Sequence, residues 1–84
     1  MPLQLEIVTP ERLAYSDAVD AVNVPGIDGE LGILPHHAPM VAILGRGVLR
    51  LEGAAGASRF QVDGGFLQVV DDQVRVVTER AAAV

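Results

Sequence analysis

Catalysis in a short chain draws on histidine, cysteine, serine, lysine and paired carboxylates, and here those residues are few. The two histidines, His36 and His37, are adjacent. Neighbours in extended backbone point to opposite faces, which suits chelation poorly. There is no cysteine, hence no disulfide framework, no thiol nucleophile and no cysteine-containing zinc site. Lysine is also missing, which removes the phosphate-binding lysine of a P-loop. Ser16 and Ser58 lack a nucleophile elbow and read as turn or strand-end hydroxyls. Gly45-Arg46-Gly47 is too short for a dinucleotide fingerprint and reads as a strand connection. Asp71-Asp72 reads as a solvated hairpin tip, because turns favour aspartate. No catalytic residue, metal site or cofactor is expected.

The formal net charge is -5, and all six cations are arginines scattered singly along the chain. Only Tyr15, Phe60 and Phe66 are aromatic. A nucleic-acid surface needs clustered cations and stacking platforms, so that class of partner fits poorly. The opening Met1-Pro2-Leu3-Gln4-Leu5-Glu6 has neither the basic region nor the apolar run of a signal peptide. No run of about 18 apolar residues is available to span a membrane. The expectation is a cytoplasmic protein, held by a partner if it works at a membrane.

The elements that must position any site are strands. Alternation is clear in Leu3-Gln4-Leu5-Glu6-Ile7, Leu49-Arg50-Leu51-Glu52, Phe60-Gln61-Val62-Asp63 and Val74-Arg75-Val76, where polar residues fall opposite the apolar face. The nine glycines and five prolines recur too often to leave room for a long helix before Arg80. Strands are expected at 3–8, 12–16, 19–24, 30–34, 40–44, 47–52, 58–63, 65–70 and 73–78. Turn chemistry separates them at Thr9-Pro10, 25–29, 45–47, 53–56, Gly64-Gly65 and Asp71-Asp72. Many short strands at this spacing predict an all-β sandwich or barrel. The expected core is Leu5, Ile7, Val22, Val24, Ile33, Leu49, Leu51, Phe60, Val62, Leu67, Val69, Val74 and Val76. Residues 80–84 read as a possible helix start, barely one turn long. With 84 residues the chain is one domain, stable by on the order of 4–13 kcal/mol.

Residues 26–41 are the unusual stretch, with three glycines and two prolines in sixteen residues and Glu30 set among apolar Leu31, Ile33 and Leu34. Prolines in a loop reduce the entropy lost on docking, which describes a preformed binding edge. A kinked strand whose glycines and prolines solve a packing problem accounts for the composition equally well. Within this stretch, Gly29-Glu30-Leu31-Gly32-Ile33-Leu34-Pro35-His36-His37-Ala38-Pro39 resembles the signature of the epsilon subunit of F-type ATP synthases. Leu5-Glu6-Ile7-Val8-Thr9-Pro10 resembles that family's opening strand, and Gly64-Gly65-Phe66-Leu67-Gln68-Val69 its glycine-glycine segment. Val74-Arg75-Val76-Val77-Thr78-Glu79-Arg80-Ala81 is similar to its closing strand. The likeness runs in order over essentially the whole chain.

The resemblance implies a flattened β-sandwich of about ten short, mostly antiparallel strands. It implies a non-catalytic rotor subunit that joins the gamma subunit to the c-subunit ring and couples proton flow to ATP synthesis. The chain would be peripheral on the cytoplasmic face of a bacterial inner membrane, with no cofactor. Glu30, Leu31 and Gly32 would face the ring, whose loops carry an arginine in this family. Thr9, His37, Ala38 and Pro39 would face gamma. Family members commonly continue into a two-helix hairpin that inhibits hydrolysis. This sequence stops at Val84, where that hairpin would begin, so neither ATP binding nor inhibition by the hairpin route is expected. The alternatives are a free-standing β-sandwich adaptor and a small hydrolase or ligand-binding domain, the latter disfavoured by the scarcity of aromatics to line a pocket.

Overall fold

A computed structural model of the chain describes residues 2–54 and 56–84. The ten strands are β1 (Leu3–Val8), β2 (Leu13–Val19), β3 (Ala21–Gly26), β4 (Gly29–Ile33), β5 (Met40–Ile43), β6 (Arg46–Gly53), β7 (Gly56–Asp63), β8 (Phe66–Val70), β9 (Gln73–Val77) and β10 (Ala81–Ala83). They form two five-stranded sheets, ordered β2-β1-β9-β8-β5 (sheet A) and β10-β7-β6-β3-β4 (sheet B). Only β1 and β9 pair in parallel among these strands; the other named pairs are antiparallel. The all-β sandwich read from the sequence is therefore the observed architecture.

The period-2 alternation puts one set of side chains between the sheets. Leu3, Leu5 and Ile7 of β1 meet Leu67, Val69, Val74 and Val76 on the inner face of sheet A. Val22, Val24, Ile33, Leu49, Leu51, Phe60 and Val62 supply the opposing face from sheet B. Every expected core residue is buried, and Leu3, Val19, Leu44 and Ala81 join them. Tyr15 of β2 meets Phe60 of β7 edge-on at 5.7 Å, tying the two sheets at one side. Burial, with Asp17 nearby, raises the Tyr15 phenol above its ordinary range, so the ring is neutral in use.

Four expectations are corrected. The helix start at 80–84 is instead β10, whose Ala81–Ala83 pairs with Val62–Phe60 at the edge of sheet B. Three alanines close no stable helical turn alone, whereas small side chains fit against a neighbouring strand and Ala81 fills the core margin. Ser16 and Ser58 are exposed within β2 and β7 rather than in turns or at strand ends, because both strands run past the expected ends at 16 and 58. The connection at 45–47 narrows to Leu44-Gly45, with Arg46 already opening β6. Asp71-Asp72 does form the β8–β9 tip, with both φ angles positive (49° and 61°), but Asp72 is not simply solvated. Its Oδ1 accepts the His36 amide N–H at 2.6 Å and so pins the β4–β5 loop. The expected turn at 53–56 includes Ala55, which lies outside the described residues.

One end of the sandwich is closed by short-range bonds. Thr9 Oγ1 donates to the Arg12 carbonyl at 3.1 Å and accepts the Arg12 N–H at 3.2 Å. Arg12 Nη2 donates to the Ala81 carbonyl at 3.2 Å, linking the start of β2 to β10. Thr78 is the buried polar side chain here; its Oγ1 accepts the Asp63 N–H and donates to the Arg80 carbonyl.

Candidate functional site

The two outer faces differ in chemistry. On sheet B, Arg46 pairs with Asp63 at 3.2 Å and Arg50 with Glu30 at 3.0 Å, among exposed Asn23, Arg59 and Gln61. This face is polar and its charges are largely matched. Sheet A carries an apolar row across all five strands. The register places Ile43 beside Phe66, Phe66 beside Val77, Val77 beside Val8 and Val8 beside Leu13. At the usual strand spacing the row is about 19 Å long. Leu13 is 53% exposed, Ile43 56% and Phe66 40%, with Val8 and Val77 half-buried. The next row along the strands is Val41, Gln68, Arg75, Glu6 and Ser16, which is mostly polar. An apolar groove of about 450 Å³ adjoins the first row, lined by Val8, Thr9, Pro10, Gly65, Phe66 and Val77 among others.

A connected apolar stripe on a small monomer marks an interaction surface more readily than a scatter of single residues does. Part of it stabilises the sheet through cross-strand contacts, but Leu13, Ile43 and Phe66 remain substantially in water. Sequence reading missed these residues. Their signal was present as apolar side chains in the phase opposite to the core, Phe66 against Leu67 and Val77 against Val76. Their alignment into one row depends on strand order and register, which alternation does not encode.

Glu30, Leu31 and Gly32 lie in β4, the edge strand of sheet B, within the strand expected at 30–34. Glu30 is exposed but not alone, since both its oxygens take Arg50 Nη2, at 3.0 and 3.3 Å. Leu31 is half-buried against the core, and Gly32 sits over the Asn23 side chain. Beside them, a groove of about 340 Å³ opens between the β3–β4 hairpin and β5, lined by Ile27, Asp28, Glu30, Leu31, Met40 and Ile43 among others.

Thr9 stands beside the apolar row, with its hydroxyl engaged in its own turn. His37, Ala38 and Pro39 lie in the β4–β5 loop against Asp71 and Asp72. That is the opposite end of sheet A from Thr9: β8 runs from Phe66 beside Thr9 to Val70 beside the Asp71-Asp72 turn, a span of about 13 Å. The structure therefore does not gather the four residues expected to face gamma into one contact, but puts them at the two ends of one sheet. His37 Nδ1 lies 2.7 Å from the Ala38 carbonyl and donates to it, leaving Nε2 as an acceptor when the ring is neutral.

Among the described residues there is no group of three or more histidine or carboxylate side chains placed to hold a metal ion. No helix of the described residues is long and apolar enough to cross a membrane. Among the described residues the grooves are open, and their lining includes no serine, cysteine or lysine. Their chemistry suits docking.

Comparison with known proteins bears on what docks. Residues 2–84 match the family model described as the ATP synthase delta/epsilon chain β-sandwich domain. The ATP synthase epsilon chain of Syntrophomonas wolfei is 49% identical over 78 residues, 92% of this chain and 57% of that one. The epsilon chain of Rhodopirellula baltica is 49% identical over all 84 residues and 66% of its own length. This chain thus spans under two thirds of the length of these curated relatives. Among solved structures, a chain in the cryo-EM structure of the OSCP/F1/c-ring of Euglena gracilis mitochondrial ATP synthase superposes with a TM-score of 0.90. It is 26% identical and is matched over 98% of this chain and 53% of that one. A chain in the central stalk/c-ring structure of the Tetrahymena thermophila enzyme gives a TM-score of 0.80 at 16% identity, over 98% of this chain and 66% of that one, and supports the fold alone.

Proposed function

This chain belongs to the β-sandwich domain family of the ATP synthase delta/epsilon chain, and from that membership we propose that it is a non-catalytic piece of the rotor. It joins the gamma subunit to the c-subunit ring, so that ring rotation driven by proton flow turns both together. The observation that carries the reading is the match of 83 residues, 2–84, to a family defined by this complex. The surface chemistry supports the reading: an exposed apolar row suited to docking, and a core whose close packing resists shear. Because ring and stalk turn together, a static interface suffices.

The gamma subunit covers the outer face of sheet A, with the apolar row and Thr9 at one end and His37–Pro39 at the other. The c ring meets β4 around Glu30, Leu31 and Gly32. The chain is held at the membrane by these partners, on the cytoplasmic face in a bacterium. Affinity purification of the tagged chain from membranes tests the reading directly. Gamma and c subunits are the expected companions; recovery with a soluble complex free of both overturns it.

Two substitutions probe the two contacts. Glu30→Lys removes the pair with Arg50 and sets a second cation beside it. Exposed pairs are worth under about 1 kcal/mol, so the domain stays folded. Ring attachment weakens, and more so at low salt, where unscreened charge counts most. Co-purification with the ring at wild-type yield in low salt would remove Glu30 from the contact. His37→Ala deletes a ring whose bond in the free domain reaches only its neighbour's carbonyl. Melting temperature is expected to hold within about 3 °C, while gamma affinity falls severalfold, as for a partly buried interface side chain of moderate weight. A clear drop in melting temperature with unchanged gamma affinity would assign His37 to the fold instead.

A further inference from the structure

We infer that Asp72 is a positioning residue for gamma binding, which holds the β4–β5 loop, and His37 within it, in the shape that gamma meets. The inference rests on the rotor reading above. β8 and β9 are joined by two residues, Asp71 and Asp72, with φ angles of 49° and 61°. Positive φ at both centres is the tight hairpin turn that usually takes asparagine or aspartate first and glycine second. Glycine at position 72 would make this turn without strain. Aspartate there carries a left-handed cost that the hairpin does not require, and a strained residue of that kind points to a use for its side chain.

That use shows in the bonds. The Asp72 carbonyl accepts the Gln4 N–H at 2.8 Å, so its backbone is fixed to β1, an interior strand of sheet A. Its carboxylate reaches the β4–β5 loop, where Oδ1 accepts the His36 N–H at 2.6 Å. His36 is itself in the left-handed region, with a φ of 66°. Among the described residues, this is the one hydrogen bond that ties residues 34–39 to another element. The imidazole is not the link, since Nδ1 lies 3.7 Å from Asp72 Oδ2, too far for a hydrogen bond, and the His36 side chain is 76% exposed. The Asp72 side chain is only 23% exposed, which suits a support beneath the loop better than a contact with a partner.

His37, Ala38 and Pro39 follow directly and line the same hollow as Asp71 and Asp72. Pro35 and Pro39 restrict the backbone on either side of the bond at His36. A loop fixed in this way before docking loses less entropy on binding.

Gamma affinity, melting temperature and exchange of the His36 amide, measured together on the whole chain and its variants, test this. Asp72→Gly removes the carboxylate but relieves the backbone, so melting temperature is expected to hold within about 3 °C. The His36 amide is expected to exchange about tenfold or more faster, as for a loop released from its one anchor. Gamma affinity is expected to fall about five- to tenfold, because the loop must then be ordered during docking. Asp72→Asn keeps the Oδ1 acceptor on a residue that tolerates positive φ, and is expected to bind within about twofold of wild type. Combined with His37→Ala, Asp72→Gly is expected to cost less than the product of the two single losses, since both act through one loop. A combined loss equal to the product would make them independent, and Asp72 would not position His37. If Asp72→Asn binds as weakly as Asp72→Gly, gamma reads the carboxylate charge directly and the positioning role is wrong. If Asp72→Gly frees the His36 amide yet binds gamma as wild type, the inference fails while the rotor reading stands. If the unaltered chain does not bind gamma at all, the rotor reading fails and the inference with it.

Discussion

Gly65→Ala is expected to lower the melting temperature of the isolated chain by about 15 °C or more, from the usual 4–8 °C per kcal/mol in a domain of this size. Gly65 lies between β7 and β8, where the chain crosses from sheet B to sheet A. Its φ is +97°, which side chains rarely adopt. An added Cβ would overlap the Val77 carbonyl oxygen and come within 2.8 Å of Thr78 Cα. These are backbone atoms at the end of β9, so no rotamer change relieves the clash. Strain of this kind costs about 1–3 kcal/mol, and forcing rigid atoms apart adds about as much again. The sum is a large share of the stability that a chain of 84 residues holds. The damage also spreads, since the Gly65 carbonyl accepts the Leu44 N–H that sets the β5 ladder. Gly64→Ala is the matched comparison. Gly64 has a φ of +70° and nothing within 4 Å of the added carbon, so only the left-handed backbone cost of about 1 kcal/mol remains. Thermal melts followed by circular dichroism decide the matter. If the two variants melt together, the close packing of Gly65 against β9 is not what holds the crossover.

The parts of this fold that could be read from the sequence are those that rest on one residue and its neighbours two places away. Alternation in Leu3–Ile7 or Phe60–Asp63 states which side chains are buried, whatever the strand pairs with. Leu44 and Val19 escaped that reading because they stand at strand ends, where alternation has no second period to establish itself. β10 escaped because alanine carries no strand signature; Ala81–Ala83 become a strand only because Val62–Phe60 offers an open edge. The same limit applies to the candidate site. The stretch 29–39 stood out by composition, and its residues do occupy an edge strand and the loop after it. That Glu30 would find Arg50, twenty residues away, depends on β6 and β4 both flanking β3. That Thr9 and His37 would stand at opposite ends of one sheet depends on the order β1-β9-β8-β5, with its parallel pair.

The apolar row at the Thr9 end of that sheet sets up the second large effect. Phe66→Asp is expected to weaken gamma binding about 100-fold or more, the cost of losing an aromatic anchor of about 2 kcal/mol and burying an unpaired carboxylate in its place. Phe66 is the aromatic member of the apolar row, flanked by Ile43 on one side and Val77 on the other. In the free domain its side chain is already 40% exposed, so an aspartate there keeps access to water and the fold survives. Docking removes that access. Phe66→Leu keeps an apolar side chain and is expected to bind within about tenfold of wild type, as volume-conserving swaps are tolerated best. Gln68→Asp supplies the sharper comparison. Gln68 lies two residues along the same strand on the same face, but in the row of Arg75 and Glu6. A new carboxylate there has Arg75 opposite it across β8 and β9 and should change binding about threefold at most, the range of exposed charge pairs. Salt separates the two interfaces further. Attachment through the apolar row should be nearly indifferent to ionic strength, while attachment through Glu30 weakens as salt rises. If Phe66→Asp and Gln68→Asp weaken binding equally, gamma reads the charge of this face and the apolar row has no special part. If neither does, gamma sits elsewhere, and the exposed row of sheet A needs a different occupant.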